Sequence, residues 1–398
     1  MKTNNNIPAY RFQSYTDAWE LHPLREIGNT YTGLSGKPKD DFGHGDGRFV
    51  TYMNVFSNPI SLPEMVEEVE FDESQNTVRY GDVLFTTSSE TPEEVGMSSV
   101  WLENTENTYL NSFCFGFRPV KKVNPYYLAY LLRSSGMRRK ISFLAQGISR
   151  YNISKAKMME LEISIPNENE QSAIGTFFST LDQHITLHQR KLDTLKEQKK
   201  TYLKLLFPAK GQTQPPLRFQ GFEDDWKEVK VADIFQVTRG QVLSTNLVSD
   251  TKSDEYPYPV YSSQTKNNGL MGFYKDYLFD TAITWTTDGA NAGTVRFREG
   301  KFYSTNVNGV LLSAEGYSNL AISEILDTVA WKYVSKVGNP KLMNNIMSEI
   351  ILLIPGGFAE QEVLSSFFQT LDQEIAQVED KLASLKEMKK TLLRKLFV

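Results

Sequence analysis

Two adjacent carboxylates and a lysine near the middle of the sequence have the residue types of a nuclease site. Asp224 and Asp225 are followed by Glu228 and Lys230, and such a set could hold a metal ion that activates water for phosphodiester cleavage. The first half of the chain contains a related stretch, in which Leu and Pro occupy the positions of Glu228 and Lys230. We therefore interpret the acidic pair as part of an anchoring element.

A second chemical possibility is the tetrapeptide Asn124-Pro125-Tyr126-Tyr127. It resembles the Asn-Pro-Pro-Tyr motif with which amino-methyltransferases hold an adenine amino group, but its third residue differs. An Asn cap followed by Pro in the first turn is also the ordinary start of a helix. The glycine-rich segment 43–47 follows the charged segment 37–41, where a methyl-donor site would need a buried strand. The sequence favours a capped helix here.

Composition excludes several other classes of site. A single cysteine, Cys114, excludes a disulfide framework and a cysteine-rich zinc site, and the four histidines show no ligand-like spacing. Gly36-Lys37 and Gly300-Lys301 are followed by Pro and Phe, so neither is a phosphate-binding loop of the Walker type. We predict a chain with no chemistry of its own.

The length and apolar content indicate a globular protein of two or three domains. The chain has 398 residues, of which 40% are hydrophobic and 23% charged. Its first residues are polar, and no apolar run approaches the roughly 18 residues of a membrane span. We expect a cytoplasmic protein.

Charge is segregated along the chain although the net charge is only -5. Residues 107–159 hold ten Lys or Arg and no acid, whereas residues 64–106 hold twelve acids and one Arg. Opposite charges separated in this way can form opposite faces of one domain, and a basic face attracts phosphates. Solvated surface charge is the alternative interpretation.

An internal repeat determines the domain organisation. Residues 170–207 and 360–397 are identical at 20 of 38 positions, and Arg11-Phe12-Gln13 recurs as Arg218-Phe219-Gln220. The regions between these anchors do not match in sequence, although both end on an Ile-Pro pair. The chain thus consists of two halves with a constant frame and different inserts, joined by a Pro-rich polar linker near residues 209–216.

The repeated segment has the pattern of a long helix that pairs with its own copy. Apolar residues alternate at steps of four and three over three and a half heptads, interrupted by His188 and by Lys199 and Lys389. We predict a helix over 177–207 that packs against its repeat. The residues expected to form this packing are Leu181, Ile185, Leu192, Leu195, Leu206, Leu371, Ile375, Leu382, Leu385 and Leu396.

The inserts have the composition of mixed α/β domains. In the second insert, residues 258–266, 277–286, 293–297 and 309–313 are strand candidates joined by loops rich in Asn, Gln, Ser and Thr. Such side chains can pair with base edges, notably Asn or Gln with adenine. Solvated turns are the simpler alternative for loops of this kind.

These residues together resemble a known family. Two variable inserts, each followed by an EQ pair and a helix reading TLDQxI…KL…LKExKKTxL…LF, are similar to the specificity subunit of type I restriction-modification systems. Residues 81–96, 258–274 and 284–295 resemble stretches of that family's target-recognition domains.

The resemblance implies an α+β fold with two mixed α/β target-recognition domains. Two long helices would separate them, packed as an antiparallel coiled coil with a pseudo-two-fold internal repeat. The implied parts are a first target-recognition domain (1–165), a central helical region (166–208), a linker (209–217), a second target-recognition domain (218–355) and a distal helical region (356–398).

The resemblance also implies a function and partners. Each insert would read one half of a bipartite site in double-stranded DNA, and the helices would fix the spacing between the halves. Two modification subunits would bring S-adenosylmethionine and methylate adenine at N6. Restriction subunits would add ATP- and Mg-dependent translocation and cleavage, so this non-catalytic chain itself would need no cofactor.

Candidate DNA contacts follow from position and residue type. In the first half they are Thr86, Thr87, Ser88, Ser89, Arg150, Tyr151, Asn152 and Lys155. In the second half they are Ser262, Ser263, Gln264, Lys266, Asn267, Thr287, Asn291 and Lys341. We expect Lys155→Ala to weaken binding to all sequences alike, and Gln264→Ala to relax one base position.

Two other functions remain open on the sequence alone. A stand-alone adenine-N6 DNA methyltransferase would bind the methyl donor without partners. A coiled-coil adaptor would bind no DNA even with partner subunits present.

Overall fold

A computed structural model describes residues 6–209, 211–263 and 266–398. The chain divides into two units, of which the first comprises Met1–Gln189 with Asp380–Val398 and the second comprises Arg190–Glu379. Each unit therefore contains one insert and parts of both copies of the repeated helix.

The first unit contains eleven strands within its described residues, and most are short. They are β1 Glu20–Pro23, β2 Gly28–Thr32, β3 Phe42–Val50, β4 Val66–Val69, β5 Val83–Thr86, β6 Ser88–Ser89, β7 Ser98–Val100, β8 Thr108–Leu110, β9 Cys114–Pro119, β10 Tyr151–Asn152 and β11 Glu162–Ile165. Its helices are α1 Leu24–Ile27, α2 Tyr52–Ser57, α3 Pro125–Leu131, α4 Ser135–Ser142, α5 Lys155–Met159 and the long α6 Glu168–Leu205, which continues into the second unit.

A four-stranded antiparallel sheet, in the order β2-β9-β5-β7, is the centre of the first unit. The helix α3 begins as predicted, because the side chain of Asn124 accepts a hydrogen bond from the Tyr127 amide and Pro125 occupies the first turn. Fully buried rings such as Phe85, Phe115 and Phe178 fill the core.

The second unit repeats this arrangement with more regular strands. They are β12 Lys227–Lys230, β13 Gln236–Arg239, β14 Tyr258–Tyr261, β15 Leu270–Tyr274, β16 Phe279–Thr286, β17 Val295–Ser304, β18 Asn308–Leu312 and β19 Ile351–Ile354. The helices are α7 Val231–Ile234, α8 Leu320–Ala330, α9 Asn344–Ser348 and α10 Phe358–Lys395, which ends in the first unit.

Strand β17 differs most from its prediction. It continues to Ser304, beyond the predicted end at residue 297, because Gly300 adopts a positive φ of 72° and its amide bonds to Thr281. The predicted strand 258–266 stops at Tyr261. Between Leu205 and Lys227 the described residues contain neither helix nor strand.

The two inserts share one framework, which their unmatched sequences did not indicate. The second unit has a sheet in the order β13-β18-β16-β17-β14-β15. Its first four strands occupy the places of β2-β9-β5-β7 and follow each other in the same order along the chain. The inserts can share this geometry although their side chains differ. The geometry depends on backbone pairing, which any strand-forming sequence can satisfy.

The repeated anchors make equivalent bonds in each unit. Arg11 forms a bidentate pair with the buried Glu170 at 2.7 Å. Arg218 forms the same pair with Glu360 at 2.8 Å. Charge-assisted bidentate pairs of this kind stabilise the contact and also fix the orientation of the two side chains. Each pair ties the segment before its insert to the start of a long helix.

The glutamine of each EQ pair bonds the Ile-Pro ending of its insert. Gln171 Nε2 donates to the carbonyl of Pro166 at 2.8 Å, and Gln361 Nε2 donates to that of Pro355 at 3.3 Å. Because these carbonyls are buried beside a helix start, the glutamines satisfy acceptors that would otherwise lack partners.

The long helices are extended relative to the prediction. Helix α6 begins at Glu168 rather than at 177, because the side chain of Asn167 accepts a hydrogen bond from the Glu170 amide and so caps the first turn. Both helices have 38 residues, or about 57 Å at 1.5 Å per residue.

The helices pair in opposite directions within each unit. In the first unit the early residue Asp182 bonds the late residue Lys389 at 2.6 Å. In the second unit the late residue Lys199 of α6 bonds the early residue Asp372 of α10 at 2.7 Å. This is the predicted antiparallel coiled coil. Of the residues expected to pack, Ile185 and Ile375 are half-buried and the rest are buried, namely Leu181, Leu192, Leu195, Leu206, Leu371, Leu382, Leu385 and Leu396.

Candidate nucleic-acid interface

A Thr-Thr pair at the end of a central strand has the same bonds in both units. Thr87 donates its amide and its hydroxyl to the carbonyl of Phe113, at 2.9 and 2.8 Å. Thr287 makes the same two bonds with the carbonyl of Val307, at 3.0 and 2.9 Å. Each of these threonines thus ties its strand end to a neighbouring loop.

The same threonines hold a hairpin beside the strand end. The Thr87 carbonyl accepts the amide of Ile153, and the Thr287 carbonyl accepts that of Leu342. The hairpins close through paired backbone bonds between Gln146 and Asn152 in the first unit and between residues 335 and 341 in the second. One framework, strand end plus hairpin, therefore occurs in each insert.

An aliphatic side chain at the tip of each hairpin points away from the protein. Ile148 is 96% exposed in the first unit and Val337 is 91% exposed in the second. Counted back from the Ile-Pro pair that ends each insert, the two residues occupy the same position. An isolated exposed aliphatic residue is common; the repetition at one structural position in two unlike sequences is the informative feature.

A cleft borders the framework of the first unit, and we call it the serine cleft. Its walls include Tyr52 and Phe56, whose rings stack with centroids 5.9 Å apart, together with Ser149 and the exposed Arg150. Arg150 Nε donates to Ser88 Oγ at 3.3 Å. The lining also includes the carboxylates of Glu90 and Glu94, so the cleft as a whole offers both donors and acceptors, as a base edge requires.

Candidates on the strand end of the first unit are mostly buried. Thr86 is fully buried, and its hydroxyl accepts the Met97 amide. Ser88 and Ser89 are 4% and 8% exposed, although both border the serine cleft. Thr87 is half-buried and uses its hydroxyl internally. In this arrangement Thr86 and Thr87 support the framework, while the two serines, although buried, border the cleft.

The hairpin candidates of the first unit are more accessible. Arg150 and Asn152 are exposed, and Tyr151 is half-buried. Lys155, also half-buried, begins helix α5 and has its Nζ 5.7 Å from the centroid of the Phe115 ring. The structure therefore brings Ser88, Ser89 and Arg150 to one cleft and leaves Lys155 outside that lining.

The acid-free segment supplies fewer surface cations than its sequence indicates. Arg118 pairs with the buried Asp82 at 2.7 Å. Arg133 donates to backbone carbonyls of four residues, and Arg138 donates to three. Burial lowers the pKa of Arg133 to about 9 and that of Arg138 to about 10. These three arginines hold loops together, so a basic face relies on other members of the segment.

The second unit has a polar cleft that we call the arginine cleft. Its lining consists of Ser262, Thr284, Thr286, Asn291, Thr294, Arg296, Arg298 and Asn308. Arg298 is only 7% exposed, and its guanidinium lies 3.7 Å from the centroid of the Tyr261 ring. Burial lowers the pKa of Arg298 to about 10. A cleft lined entirely by hydroxyl, amide and guanidinium groups is suited to hydrogen-bond acceptors.

Two of the candidates in the second unit line this cleft. Ser262 and Asn291 are half-buried there, and Ser262 Oγ accepts a bond from Thr305. Ser263 is half-buried and adjoins Ser262 outside the lining. Thr287 is fully buried in the framework.

The remaining candidates of the second unit lie elsewhere. Asn267 is exposed and adopts a positive φ of 49°. Lys341 is exposed and lies 3.5 Å from Asp288. Gln264 lies outside the described residues, as does the side chain of Lys266.

Sequence reasoning missed the two arginines of the cleft. Arg296 and Arg298 stand two residues apart on β17, so they share one face of the sheet. The alternation was available in the sequence, but the predicted strand stopped at residue 297. Sequence reasoning also missed Tyr52 and Phe56, which lie one helical turn apart on α2, because it did not predict this short helix.

The alternative chemical motifs do not assemble into sites. Asp225 accepts a bond from Gln214, and Lys230 pairs with Glu349. The glycines of 43–47 lie within strand β3 rather than between a strand and a helix. Across the described ranges no three His, Cys, Asp or Glu side chains are grouped so that they could hold a metal ion. No helix in the described part of the chain is long and apolar enough to cross a membrane.

Comparison with known proteins agrees with this duplicated architecture. A protein of Mycoplasma pneumoniae named as a type I specificity subunit is 29% identical over 221 residues, which are 54% of this chain and 78% of the relative. The N-terminal part of another such subunit from the same organism is 40% identical over 130 residues, 32% of this chain and 67% of that sequence.

A solved structure has the same fold. The crystal structure of a type I restriction-modification S subunit from M. genitalium superposes with a TM-score of 0.71 at 17% identity, covering 98% of this chain and 99% of the other. The sequence profile of the type I restriction modification DNA specificity domain matches twice, over residues 17–197 and 223–387. The chain belongs to the family of type I restriction-modification DNA specificity subunits.

Proposed function

We propose that this chain reads a bipartite site in double-stranded DNA, one half with each unit, and that its inserts determine which bases are read. The observation that carries the proposal is the duplicated recognition framework. The strand end and hairpin have the same backbone bonds in both units, while the side chains around them differ. A constant scaffold with different side chains suits two binding sites that share geometry and differ in target.

The hairpins and clefts are the proposed contact surfaces. An exposed aliphatic tip can pack on a thymine methyl group or against a base step. Arg150 beside the first tip and Lys341 at the base of the second hairpin add positive charge for phosphates. Exposed side chains at the cleft mouths would then read base edges, while Thr87 and Thr287 hold the scaffold.

The long helices are proposed to set the distance between the two half-sites. At about 57 Å, each helix exceeds one turn of B-DNA, which is about 34–36 Å. Half-buried pairs such as Lys199 with Asp372 would resist sliding of one helix along the other, because sliding would separate the charges.

Catalysis is assigned to partner subunits. Two modification subunits would dock on the helical regions, supply S-adenosylmethionine and methylate adenine at N6 after flipping it from the duplex. Restriction subunits would contribute ATP, Mg and cleavage. The partner surfaces of the two halves are unlike, since His184 and His188 of α6 correspond to Glu374 and Val378 of α10. We also propose that the chain acts in the cytoplasm.

Mapping modified adenines tests the proposal. In cells that carry the chain with modification subunits, we expect N6-methyladenine in two short sequences, the half-sites, separated by a constant number of unspecified base pairs. A continuous target, or methylation that does not depend on this chain, would reject it. Calorimetry on the isolated chain tests the stand-alone methyltransferase, which would bind S-adenosylmethionine alone. The absence of DNA binding with partners present would favour the adaptor.

A further inference from the structure

The arginine cleft of the second unit concentrates positive charge below the protein surface without a carboxylate in its lining. Burying a charge is costly unless a partner compensates it. Arg296 lowers the pKa of Arg298 further because the two cations repel each other. An anion that entered the cleft would relieve both the repulsion and the loss of hydration.

Hydrogen bonds hold Arg298 in place and leave some of its guanidinium N–H groups unused. Its Nε donates to Thr284 Oγ1 at 3.2 Å, and one Nη donates to the Asn268 carbonyl at 2.8 Å. Tyr261 supports the face of the guanidinium. A guanidinium has five N–H groups, so further donors remain for a ligand after these bonds and the interaction with Tyr261. The side chain is therefore oriented before any ligand arrives, which reduces the entropy cost of binding.

The carboxylates of a neighbouring cleft are already engaged. That cleft is also touched by Arg296 and Arg298, and its carboxylates are those of Glu324, Asp327, Asp372 and Glu379. Asp372 pairs with Lys199, and Glu379 pairs with Lys196. Glu324 accepts a bond from Lys199 at 2.7 Å, and Asp327 accepts the Val295 amide at 2.8 Å. Neither bond uses an arginine of the cleft, although the charge of Arg296 opposes the effect of burial on the pKa of Asp327.

The recess favours one kind of acceptor over another. Thr284 and Asn308 are each 2% exposed, so the donors of the cleft lie beneath the surface. A base in an intact duplex presents its edge within a groove and cannot enter such a recess. A phosphate projects from the backbone and offers several oxygens to hydroxyl and guanidinium donors. We propose that the arginine cleft binds one phosphodiester group of the DNA backbone, with Arg298 as its principal donor.

This proposal rests on DNA being the ligand of the second unit. The first experiment uses inorganic phosphate alone, so it tests phosphate binding by the cleft separately from DNA binding by the chain. Thermal unfolding of the full chain is followed in phosphate and in chloride at equal ionic strength. We expect phosphate to raise the unfolding midpoint of the unaltered chain, because a ligand that binds only the folded state stabilises it. Arg298→Gln should lose this increment.

Lys301→Gln is the matched control. Lys301 stands on the same strand and its Nζ contacts the ring of Tyr277, so its removal costs one charge without altering the cleft. It should retain the phosphate increment. Arg298→Lys keeps the charge but lacks the planar fork, and should retain only part of the increment; this variant serves if Arg298→Gln does not fold. Equal phosphate responses in the unaltered chain, Arg298→Gln and Arg298→Lys would overturn the proposal.

The second experiment measures DNA affinity of the chain assembled with its modification subunits, on a duplex carrying the mapped site. We expect Arg298→Gln to lower the slope of log K against log salt by about 0.9, the value for one lost phosphate contact, and to weaken all sequences alike. Relaxed discrimination at one base position with an unchanged slope would overturn the proposal in favour of base reading. A phosphate response without any DNA binding would reject DNA as the ligand.

Discussion

Lys199 Nζ lies 2.7 Å from Asp372 Oδ1, and the same two positions of the repeat are joined in exchanged order in the first unit, where Lys389 bonds Asp182 at 2.6 Å. The third member of each cluster differs. Lys199 also bonds the carboxylate of Glu324, whereas Asp182 accepts the hydroxyl of Tyr130. The frame is thus duplicated, but its electrostatics are not.

Lys199→Met should be strongly destabilising at pH 8. The substitution leaves the poorly exposed Glu324 carboxylate beside Asp372 without a cation. Breaking such a pair costs about 3 kcal/mol, and we expect a somewhat smaller loss because Asp372 is partly exposed. Urea unfolding followed by circular dichroism measures the difference.

The loss should shrink as the pH falls from 8 to 5. Burial raises the pKa of Glu324, and Lys199 opposes this effect, so removing the lysine raises the pKa further. Because the folded-state pKa then lies above the unfolded value, protonation favours the folded chain and stability declines as the pH rises through that window. In the control Lys389→Met, Asp182 keeps its bond from Tyr130, and the loss should be about 1 kcal/mol. Equal, pH-independent losses at both sites would contradict this account.

The two equivalent tryptophans should respond differently to replacement by Phe. Trp19 Nε1 donates to the buried Glu170 at 3.2 Å. Trp226 Nε1 is buried with no hydrogen-bond partner among the described residues. A bond to a charged acceptor contributes about 1.5–3 kcal/mol, and an unpaired buried donor costs a similar amount. Both substitutions should lower the free energy of unfolding, and the loss should be larger for Trp19→Phe by at least about 1 kcal/mol. A larger loss for Trp226→Phe would contradict the different hydrogen bonding of the two indoles.

The hairpin tips should affect binding without affecting folding. Ile148→Asp and Val337→Asp alter side chains that are almost fully exposed, so unfolding free energies should change by no more than about 0.5 kcal/mol. A carboxylate at a surface that approaches phosphates should weaken DNA binding by about tenfold, or about 1.4 kcal/mol. Val120→Asp adds the same charge at another exposed position of the first unit and should have little effect. If all three variants bind DNA equally well, the hairpins are not contact surfaces.

Substitutions in the two clefts should act on different halves of the target. Arg150→Gln removes the exposed guanidinium of the serine cleft, and Asn291→Ala removes an amide of the arginine cleft. Competition binding with duplexes mutated in one half at a time should show relaxed or weakened recognition of one half for each variant. The finding that would reject separate reading is a change in both halves from a single substitution.

The repeat and its helices were predictable because they depend on local signals. Heptad spacing in the two copies predicted the helices and their packing against each other, the family resemblance implied the antiparallel direction, and Asn124 with Pro125 predicted the start of α3. Identical anchor residues indicated equivalent roles, which the pairs of Arg11 and Arg218 with buried glutamates confirm.

The common framework of the inserts was not predictable from side-chain identity. Its defining bonds are backbone bonds that many sequences can make, such as those of Thr87 and Thr287. Arg298 was missed because the positive φ of Gly300 lets β17 continue past a residue that appears to end it. Tertiary burial then separates Thr86, which lies inside, from Arg150, which lies outside, and sequence spacing carries no such information.

Exchange of one insert tests the central claim most directly. Residues 218–355 would be replaced by the corresponding insert of a relative whose target differs, and modified adenines would be sequenced in cells that carry the hybrid with modification subunits. The account predicts that the first half-site and the spacing stay the same while the second half-site changes. An unchanged target, or one in which both half-sites change together, would contradict the assignment of one half-site to each unit.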